Sequence, residues 1–353
     1  MSIDTYLKLL RINKYIILFI LIILPFVISA TEPLSEEIEI SARQVIDYIC
    51  KEEFKSAEEI ARKIVRKYPD NPAGYFFVAA VLDSWMSYYY DNRKEDEFYK
   101  FCDLAVEKGE RALTKNRNDE WAIFFIGGAE GFKGTYEARY ERWITAFRYG
   151  WRGVSMLMKL SDMKSGIVDI NYGIGYYEYW RSAMMKTLWW MPGVRDKREE
   201  GIKKIYKAFD QGIYTQVAAS AALIEIMINE NRVEETLPIV DKMLRKYPAS
   251  SMFLWGKGRA LYGLGRFDEA KEIFNFLLNK YESDEIENYY NPFLCHFWLA
   301  RINFAQKEYN AALEQVACME KFKFNDDTKK QLEKYYSEGN SIKKKAYEKP
   351  GKS

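Results

Sequence analysis

A short segment that recurs along the chain limits what this sequence can fold into more than any other feature. Residues 231–236 (NRVEET) are followed 34 residues later by residues 265–270 (GRFDEA). Related segments stand at residues 307–312 (KEYNAA), after a further 42 residues, and at residues 53–58 (EFKSAE). Repeat proteins have periods of roughly 20–50 residues. The recurrence therefore predicts a stack of copies of one small structural unit.

Each recurring segment begins an amphipathic helix. Its apolar residues recur at spacings of three and four, as at Ile273, Phe274 and Leu277, which is the period of a helix with one buried face. Proline follows two of these helices, at Pro69 and Pro248, where it ends the helix and opens a turn. Another apolar helix, rich in small residues, precedes the segment at residues 217–227, 253–265 and 297–305. The repeated unit is therefore an antiparallel pair of helices.

A helical pair of this length, with small residues early in each helix, an aromatic residue at the turn and a closing proline, resembles the tetratricopeptide repeat, TPR. The resemblance is strongest over residues 215–281, good over residues 40–90 and 292–321, and weakest between residues 98 and 212. The sequence departs from the pattern in two places. The turn glycine present at Gly265 is absent from residues 307–309, and Lys257 stands where an apolar residue is usual.

The resemblance implies an all-α fold, a right-handed superhelical solenoid of antiparallel helical hairpins, with about seven hairpins and a capping helix. It also implies that the first helices of the hairpins line a concave groove that holds other molecules. The chain then divides into residues 1–30 as a signal peptide, 31–214 as degenerate, aromatic-rich TPR-like hairpins, 215–323 as regular repeats, and 324–353 as a capping helix with a basic disordered tail.

The amino terminus has the composition of a targeting segment. Residues 15–30 form an uncharged apolar run after three basic residues, and the run ends in the small pair Ser29-Ala30. That order is typical of a secretory signal peptide, and the apolar run is shorter than the roughly 20 residues of a spanning helix. We expect cleavage after Ala30 and export to the periplasm or the outer face of a membrane. The alternative is an uncleaved inner-membrane anchor, which would be the only membrane contact.

Charge argues against nucleic acid as a partner. The chain has 53 Lys and Arg residues and 51 Asp and Glu residues, a net charge of +2, and residues 1–30 carry this excess. The remainder is neutral and lacks the clustered cations that bind phosphate backbones. We therefore expect one or more protein partners and no nucleic acid.

The four cysteines, Cys50, Cys102, Cys295 and Cys318, are too sparse for a disulfide-stapled scaffold and form no CxxC pair. We expect them to be small buried hydrophobic residues in helices. Export leaves a Cys295–Cys318 disulfide as the alternative, because both residues lie within one predicted hairpin and oxidising compartments permit such bonds.

The chain has few of the residues and motifs that active sites use. It has a single histidine, His296, and histidine is the usual acid, base and metal ligand of active sites. The glycines of residues 173–175 lack the third glycine and the preceding strand of a dinucleotide loop. No P-loop, HExxH, EF-hand or GxSxG motif is present. We expect no catalytic residues, no metal site and no cofactor, and hence a non-enzymatic protein.

Aromatic side chains are concentrated in residues 167–200, which also resemble a stretch of exported bacterial TPR proteins of unassigned role. The candidate partner-binding residues there are Tyr172, Tyr176, Tyr177, Glu178, Trp180 and Arg181, and Trp189 and Trp190 follow them. On a helix, Tyr172, Tyr176 and Trp180 share one face, whereas Tyr177, Glu178 and Arg181 project elsewhere.

Two interpretations of this aromatic segment remain open. The rings can fill the junction where the regular period fails, because aromatic side chains dominate core packing. Alternatively they line a groove as binding hot spots, with Arg181 as a planar donor. The predicted function is an exported scaffold for protein–protein interaction or envelope complex assembly. The alternative function is an exported protein that binds, or acts on, carbohydrate or binds lipid through the same aromatic residues.

Overall fold

The computed structural model describes residues 34–185 and 195–348, which contain α-helices, short turns and no strand. Fifteen α-helices follow one another in these ranges: α1 (Glu36–Cys50), α2 (Phe54–Lys67), α3 (Pro72–Tyr89), α4 (Glu95–Lys115), α5 (Glu120–Arg139), α6 (Trp143–Asp162), α7 (Ile170–Met185), α8 (Arg198–Gln211), α9 (Gln216–Asn229), α10 (Thr236–Lys246), α11 (Ser251–Gly263), α12 (Phe267–Glu282), α13 (Tyr290–Ala305), α14 (Tyr309–Met319) and α15 (Asp326–Tyr347).

Consecutive helices pair as seven antiparallel hairpins, from α1–α2 to α13–α14, and α15 packs on the last pair as a cap. The predicted all-α solenoid of about seven hairpins with a capping helix is therefore confirmed. The first helices of neighbouring hairpins also contact each other. Examples are the pairs α1 and α3, α3 and α5, and α9 and α11. These first helices form the inner face of the stack, and the second helices form its outer face.

In six of the seven hairpins the whole turn between the two helices lies within the described residues, and all six share one backbone conformation. A single residue shortly after the first helix takes a left-handed conformation, with φ values from 50° to 71°, at Glu52, Tyr90, Glu141, Asn231, Gly265 and Lys307. The following amide then donates to the carbonyl five residues earlier, as Arg266 N does to Leu261 O at 2.9 Å. This bond satisfies a free carbonyl at the helix end. Lys307 therefore preserves the turn without the expected glycine, at the cost of backbone strain.

The central hairpins keep this plan but use longer helices. Helices α3 to α6 have 18 to 21 residues, whereas α9 and α10 have 14 and 11. The longer helices account for the weak 34-residue period between residues 98 and 212. Gly175 of α7 and Gly201 of α8 bring two backbones together, because a Cβ on either would lie within 2.6 Å of the other's carbonyl oxygen. Gly175 therefore serves helix packing.

The first hairpins also touch the last ones, so the stack closes on itself. Glu52 accepts a hydrogen bond from Ser251 N at 2.6 Å and pairs with Lys280. The carbonyl of Tyr88 accepts a hydrogen bond from Asn291 Nδ2 at 2.6 Å, although the two residues are 203 positions apart. We call these contacts, between residues 47–52 and 88–90 on one side and residues 246–251 and 280–291 on the other, the closing seam.

The sequence predicts a role for each end of the chain, and the structure describes only the carboxyl-terminal one. The predicted signal peptide, residues 1–30, lies outside the described residues. Helix α15 runs to Tyr347, so the helical part of residues 324–353 includes the basic residues Lys343, Lys344 and Lys345. Ile342 and Ala346 are buried on this last stretch, and Lys343 pairs with Glu320 at 2.7 Å. Within the described ranges, no helix combines the length and apolarity needed to cross a membrane.

All four cysteines are free in this structure. Cys50, Cys102 and Cys295 are buried among apolar side chains, and Cys318 is half-buried. Burial raises the pKa of Cys50 to about 12 and raises the pKa values of Cys102 and Cys295 well above the ordinary thiol range. Cys295 and Cys318 thus share one hairpin, as expected, without forming the alternative disulfide.

Candidate functional site on the inner face

The six candidate residues of α7 point in three directions. Tyr172, Tyr176 and Trp180 follow one another along the inner side of the helix, with neighbouring ring centroids 5.8 Å and 6.1 Å apart. We call these three the inner aromatic row. The predicted common face of these residues is found in the structure, and their neighbours Tyr177, Glu178 and Arg181 lie elsewhere. Trp189 and Trp190 are outside the described residues.

Burial gives the inner aromatic row unusual phenols. It raises the pKa of Tyr172 well above the ordinary tyrosine value and that of Tyr176 to about 12. The nearby Glu225 carboxylate raises the pKa of Tyr176 further, whereas Arg139 opposes the rise. Both rings nevertheless retain part of their surface exposed to solvent. Tyr172 and Tyr176 therefore present partly exposed aromatic faces and neutral hydroxyls, which can donate hydrogen bonds at physiological pH.

Two ion pairs from neighbouring first helices accompany the row. Asp83 of α3 pairs with Arg139 of α5 at 2.9 Å, and Glu225 of α9 pairs with Arg259 of α11 at 2.6 Å. Asp83 also raises the pKa of Tyr172, which brings this ion pair into the surroundings of the row. Five consecutive first helices thus contribute polar or aromatic groups to one stretch of the inner face.

Arg139 supplies an incompletely satisfied cation to this stretch. Its Nη2 binds Asp83, but its Nη1 is buried and has no hydrogen-bond partner among the described residues. A buried donor without an acceptor costs about 1–3 kcal/mol, and more when it is charged. An acceptor oxygen supplied by a bound molecule would remove that penalty.

Glu178 has a structural role instead. The side chain is buried between α7 and α8, where it pairs with Lys204 and lies 3.6 Å from Lys197 Nζ. Because its two cationic partners come from within the chain, its carboxylate is already neutralised. The structure thus places Glu178 at the interface between two helices of one hairpin.

Tyr177 and Arg181 face the outer side. The Tyr177 ring lies 6.1 Å from that of Trp151, on second helix α6, and Arg181 is exposed. Around the axis of α7, Tyr177 and Arg181 are therefore turned away from Tyr176 by about 100° and 140°. The structure divides the aromatic segment between both faces of the stack.

Four contributors to the inner face were missed from the sequence, namely Asp83, Arg139, Glu225 and Arg259. One signal was present for the last two. Glu225 and Arg259 are 34 residues apart, which is the repeat period, and they carry opposite charges. Residues one period apart lie side by side on adjacent first helices, so alternating charge at that spacing predicts an inter-repeat ion pair.

The single histidine is part of the packed interior of the last hairpin. His296 is buried, and its Nδ1 lies 2.7 Å from Gln315 Oε1. The adjacent Cys295 is fully buried, and burial, by raising its pKa, keeps the thiol protonated. Over residues 34–185 and 195–348, the structure brings no three His, Cys, Asp or Glu side chains into an arrangement that could hold a metal ion.

Part of the chain matches a known protein family. Residues 206–324 match the model of the family described as Iml2/Tetratricopeptide repeat protein 39. Among solved structures, the chain is similar to a tetratricopeptide repeat protein from Parabacteroides merdae ATCC 43184, with 15% identity, 86% of this chain and 100% of that chain covered, and a TM-score of 0.37. No curated protein matches the chain. The family match supports tetratricopeptide repeats over residues 206–324.

Proposed function

We propose that this tetratricopeptide-repeat protein is an exported, non-catalytic scaffold that holds a protein partner against its inner face. Repeat solenoids commonly use their extended concave surfaces for binding. The observation that carries the proposal is the inner aromatic row, Tyr172, Tyr176 and Trp180, set beside the buried and incompletely bonded guanidinium of Arg139.

The chemistry of this surface suits a peptide segment. Tyrosine and tryptophan supply rigid contact area at low entropic cost, and with arginine they dominate binding hot spots. A backbone carbonyl or carboxylate of the partner would accept a hydrogen bond from Arg139 Nη1, which lacks an acceptor among the described residues. Apolar side chains of the partner would pack on the half-exposed rings.

Affinity capture from envelope extract tests the proposal. We expect Tyr176→Ala to weaken capture of the partner roughly thirtyfold, since truncation of a hot-spot residue costs about 2 kcal/mol or more. Phe276→Ala is the matched control, because Phe276 is an exposed aromatic residue on second helix α12. Circular dichroism must show unchanged helix content in both variants. Equal capture by the two variants contradicts the proposal.

A glycan that competes with the captured protein would favour the alternative, a carbohydrate-binding function for the same rings. Tyrosine and tryptophan rings bind both glycans and proteins, so a glycan and the protein partner would compete if both used the inner aromatic row. We expect no competition by soluble glycans, and a protein partner whose binding is insensitive to them.

Export is a separate part of the proposal and has its own test. We expect the amino terminus of the mature protein, read by mass spectrometry, to be Thr31. A chain that retains residues 1–30 in the membrane fraction would instead establish the inner-membrane anchor. Either result leaves the inner-face experiment interpretable, because residues 1–30 are outside the surface that it probes.

A further inference from the structure

The second helix of the third hairpin, α6, exposes large apolar side chains. Ile144 is 88% exposed, Trp151 55% and Trp143 45%. The core face of the same helix is already occupied by buried residues, including Val154, Leu157 and Leu160. Ile144 and Trp151 are seven residues apart and share the opposite face. Ile144 and Trp151 therefore lie opposite the residues that pack α6 into the core.

The charges on this face all have one sign. Arg148 and Arg152 are exposed beside Trp151, and neither makes an ion pair within the described part of the chain. The sequence from Trp143 to Ser161 contains no Asp or Glu. Helix α4, the second helix of the preceding hairpin, differs, because it mixes both signs and pairs Arg111 with Glu107 at 2.6 Å.

Helix α7 extends the same surface. Tyr177 packs beside Trp151. Burial raises the pKa of Tyr177 and the charge of Arg181 opposes this rise, so the guanidinium lies near the phenol. Arg181 is exposed and makes no ion pair within the described ranges, and Met184 is exposed one turn further on. We call the combined surface the outer basic patch, defined by Trp143, Ile144, Arg148, Trp151, Arg152, Tyr177, Arg181 and Met184.

We propose that the outer basic patch docks onto the surface of an anionic lipid bilayer. Its apolar side chains would enter the boundary between headgroups and acyl chains, and its arginines would remain at the lipid phosphates. This surface is distinct from the inner aromatic row, so a docked scaffold would keep its inner face available to a protein partner.

Three observations favour a bilayer over a protein as the occupant. The arginines lack counter-charges within the described chain, and anionic headgroups supply many. Tryptophan prefers the membrane–water boundary, where its ring is apolar and its N–H remains hydrated. Ile144 and Trp151 are about 10 Å apart along the helix axis and share one face of it, so both reach one flat surface. Trp143 flanks them at the start of the helix. An amphipathic helix with cations beside tryptophan and isoleucine is typical of interfacial binding.

A fluorescent label on the patch tests this proposal in the full chain. Ser155→Cys places a thiol one turn after Trp151, on the same face. Cys318→Ser removes the half-buried native thiol, and the other three cysteines are buried. We expect an environment-sensitive dye at position 155 to shift to the blue with vesicles of phosphatidylcholine and phosphatidylglycerol, and not with phosphatidylcholine alone. Because the signal is local, lipid binding by residues 1–30 does not produce it.

Two further variants complete the test. Arg148→Gln with Arg152→Gln should weaken the response roughly tenfold or more in lipid concentration, because each arginine adds electrostatic attraction to an anionic surface. The same dye on Phe276→Cys, an exposed position on α12, should not respond. A dye at position 155 that is unchanged by anionic vesicles, or that responds no more than the dye at position 276, would overturn the proposal.

Discussion

Tyr90 and Tyr290 lie ring on ring, with centroids 3.5 Å apart and planes inclined by only 4°. Tyr90 follows the first helix of the second hairpin, and Tyr290 begins the first helix of the seventh. Tyr90 also donates its hydroxyl to Gln331 of α15 at 2.6 Å. The pair therefore ties the beginning of the solenoid to its last hairpin and its cap. In an open stack each repeat contacts only its neighbours, so the closing seam adds cooperativity that local contacts do not provide.

Loss of the Tyr290 ring should weaken the seam measurably. We expect Tyr290→Ala to lower the free energy of unfolding by roughly 2–4 kcal/mol, since it removes buried aromatic area and a stacked pair. Tyr289→Ala is the control, because the neighbouring side chain is 47% exposed and surface changes usually stay within about 0.5 kcal/mol. Urea denaturation measures both. A loss in Tyr290→Ala no larger than that in Tyr289→Ala would show that the Tyr90–Tyr290 stack does not stabilise the fold.

Alkaline pH should destabilise the protein through a buried thiol. Burial raises the pKa of Cys50 from 9.0 to about 12, so the unfolded chain loses this proton at a lower pH than the folded one. The stabilising contribution is complete below pH 9.0 and decreases at higher pH by about 1.4 kcal/mol per unit. Denaturation midpoints measured from pH 8 to pH 10 should fall in the wild type and fall less in Cys50→Ala. Parallel profiles would contradict this assignment.

Close backbone contact between α7 and α8 predicts a sharp difference between two glycine variants. Gly175→Ala would place its Cβ 2.5 Å from Gly201 O, so we expect a loss of roughly 2–4 kcal/mol from overpacking. Gly131→Ala, within α5, meets no atom within 4 Å. Because alanine favours helix over glycine, we expect that variant to gain up to about 1 kcal/mol. Thermal unfolding followed by circular dichroism distinguishes the two, and destabilisation by both would refute the packing explanation.

The left-handed turns predict a reciprocal pair of effects. Lys307 has a φ of 65° and is exposed, so Lys307→Gly should relieve strain and raise the free energy of unfolding by about 1 kcal/mol. Gly265 has a φ of 71°, and a Cβ added there would meet no atom within 4 Å. Gly265→Ala therefore adds backbone strain alone and should cost about 1 kcal/mol. Chemical denaturation tests the opposite signs, and a shift of the same sign in both variants would contradict them.

Local patterns in the sequence predicted most of the fold. The spacing of residues 231–236 and 265–270 and the prolines after Tyr68 and Tyr247 define hairpins whose helices the structure contains. The long central helices obscured the period, and non-glycine residues such as Glu52 and Asn231 hid the repeated turn. The turn was not recognisable at those positions because it needs one residue in a left-handed conformation. Glycine adopts that conformation most readily, but other residues also occupy it here.

The candidate surface was only partly predictable. Helical spacing placed Tyr172, Tyr176 and Trp180 on one face, as the structure does. Helical spacing could not show that this face points to the inner side of the stack, because its orientation depends on which helices pack against α7. The contribution of Arg139 and the stacking of Tyr90 on Tyr290 arise from contacts between different hairpins. Such long-range contacts follow from the curvature of the whole stack, which no local period encodes.

The most direct test of the central claim is photo-crosslinking in cells from the inner face. A photoreactive phenylalanine analogue replaces Tyr172 in one variant and Phe276 in a second variant. Crosslinked adducts of each are identified by mass spectrometry. The account predicts a discrete protein adduct from position 172 that is absent from position 276. No adduct from position 172, or the same adducts from both positions, would contradict a partner held on the inner face.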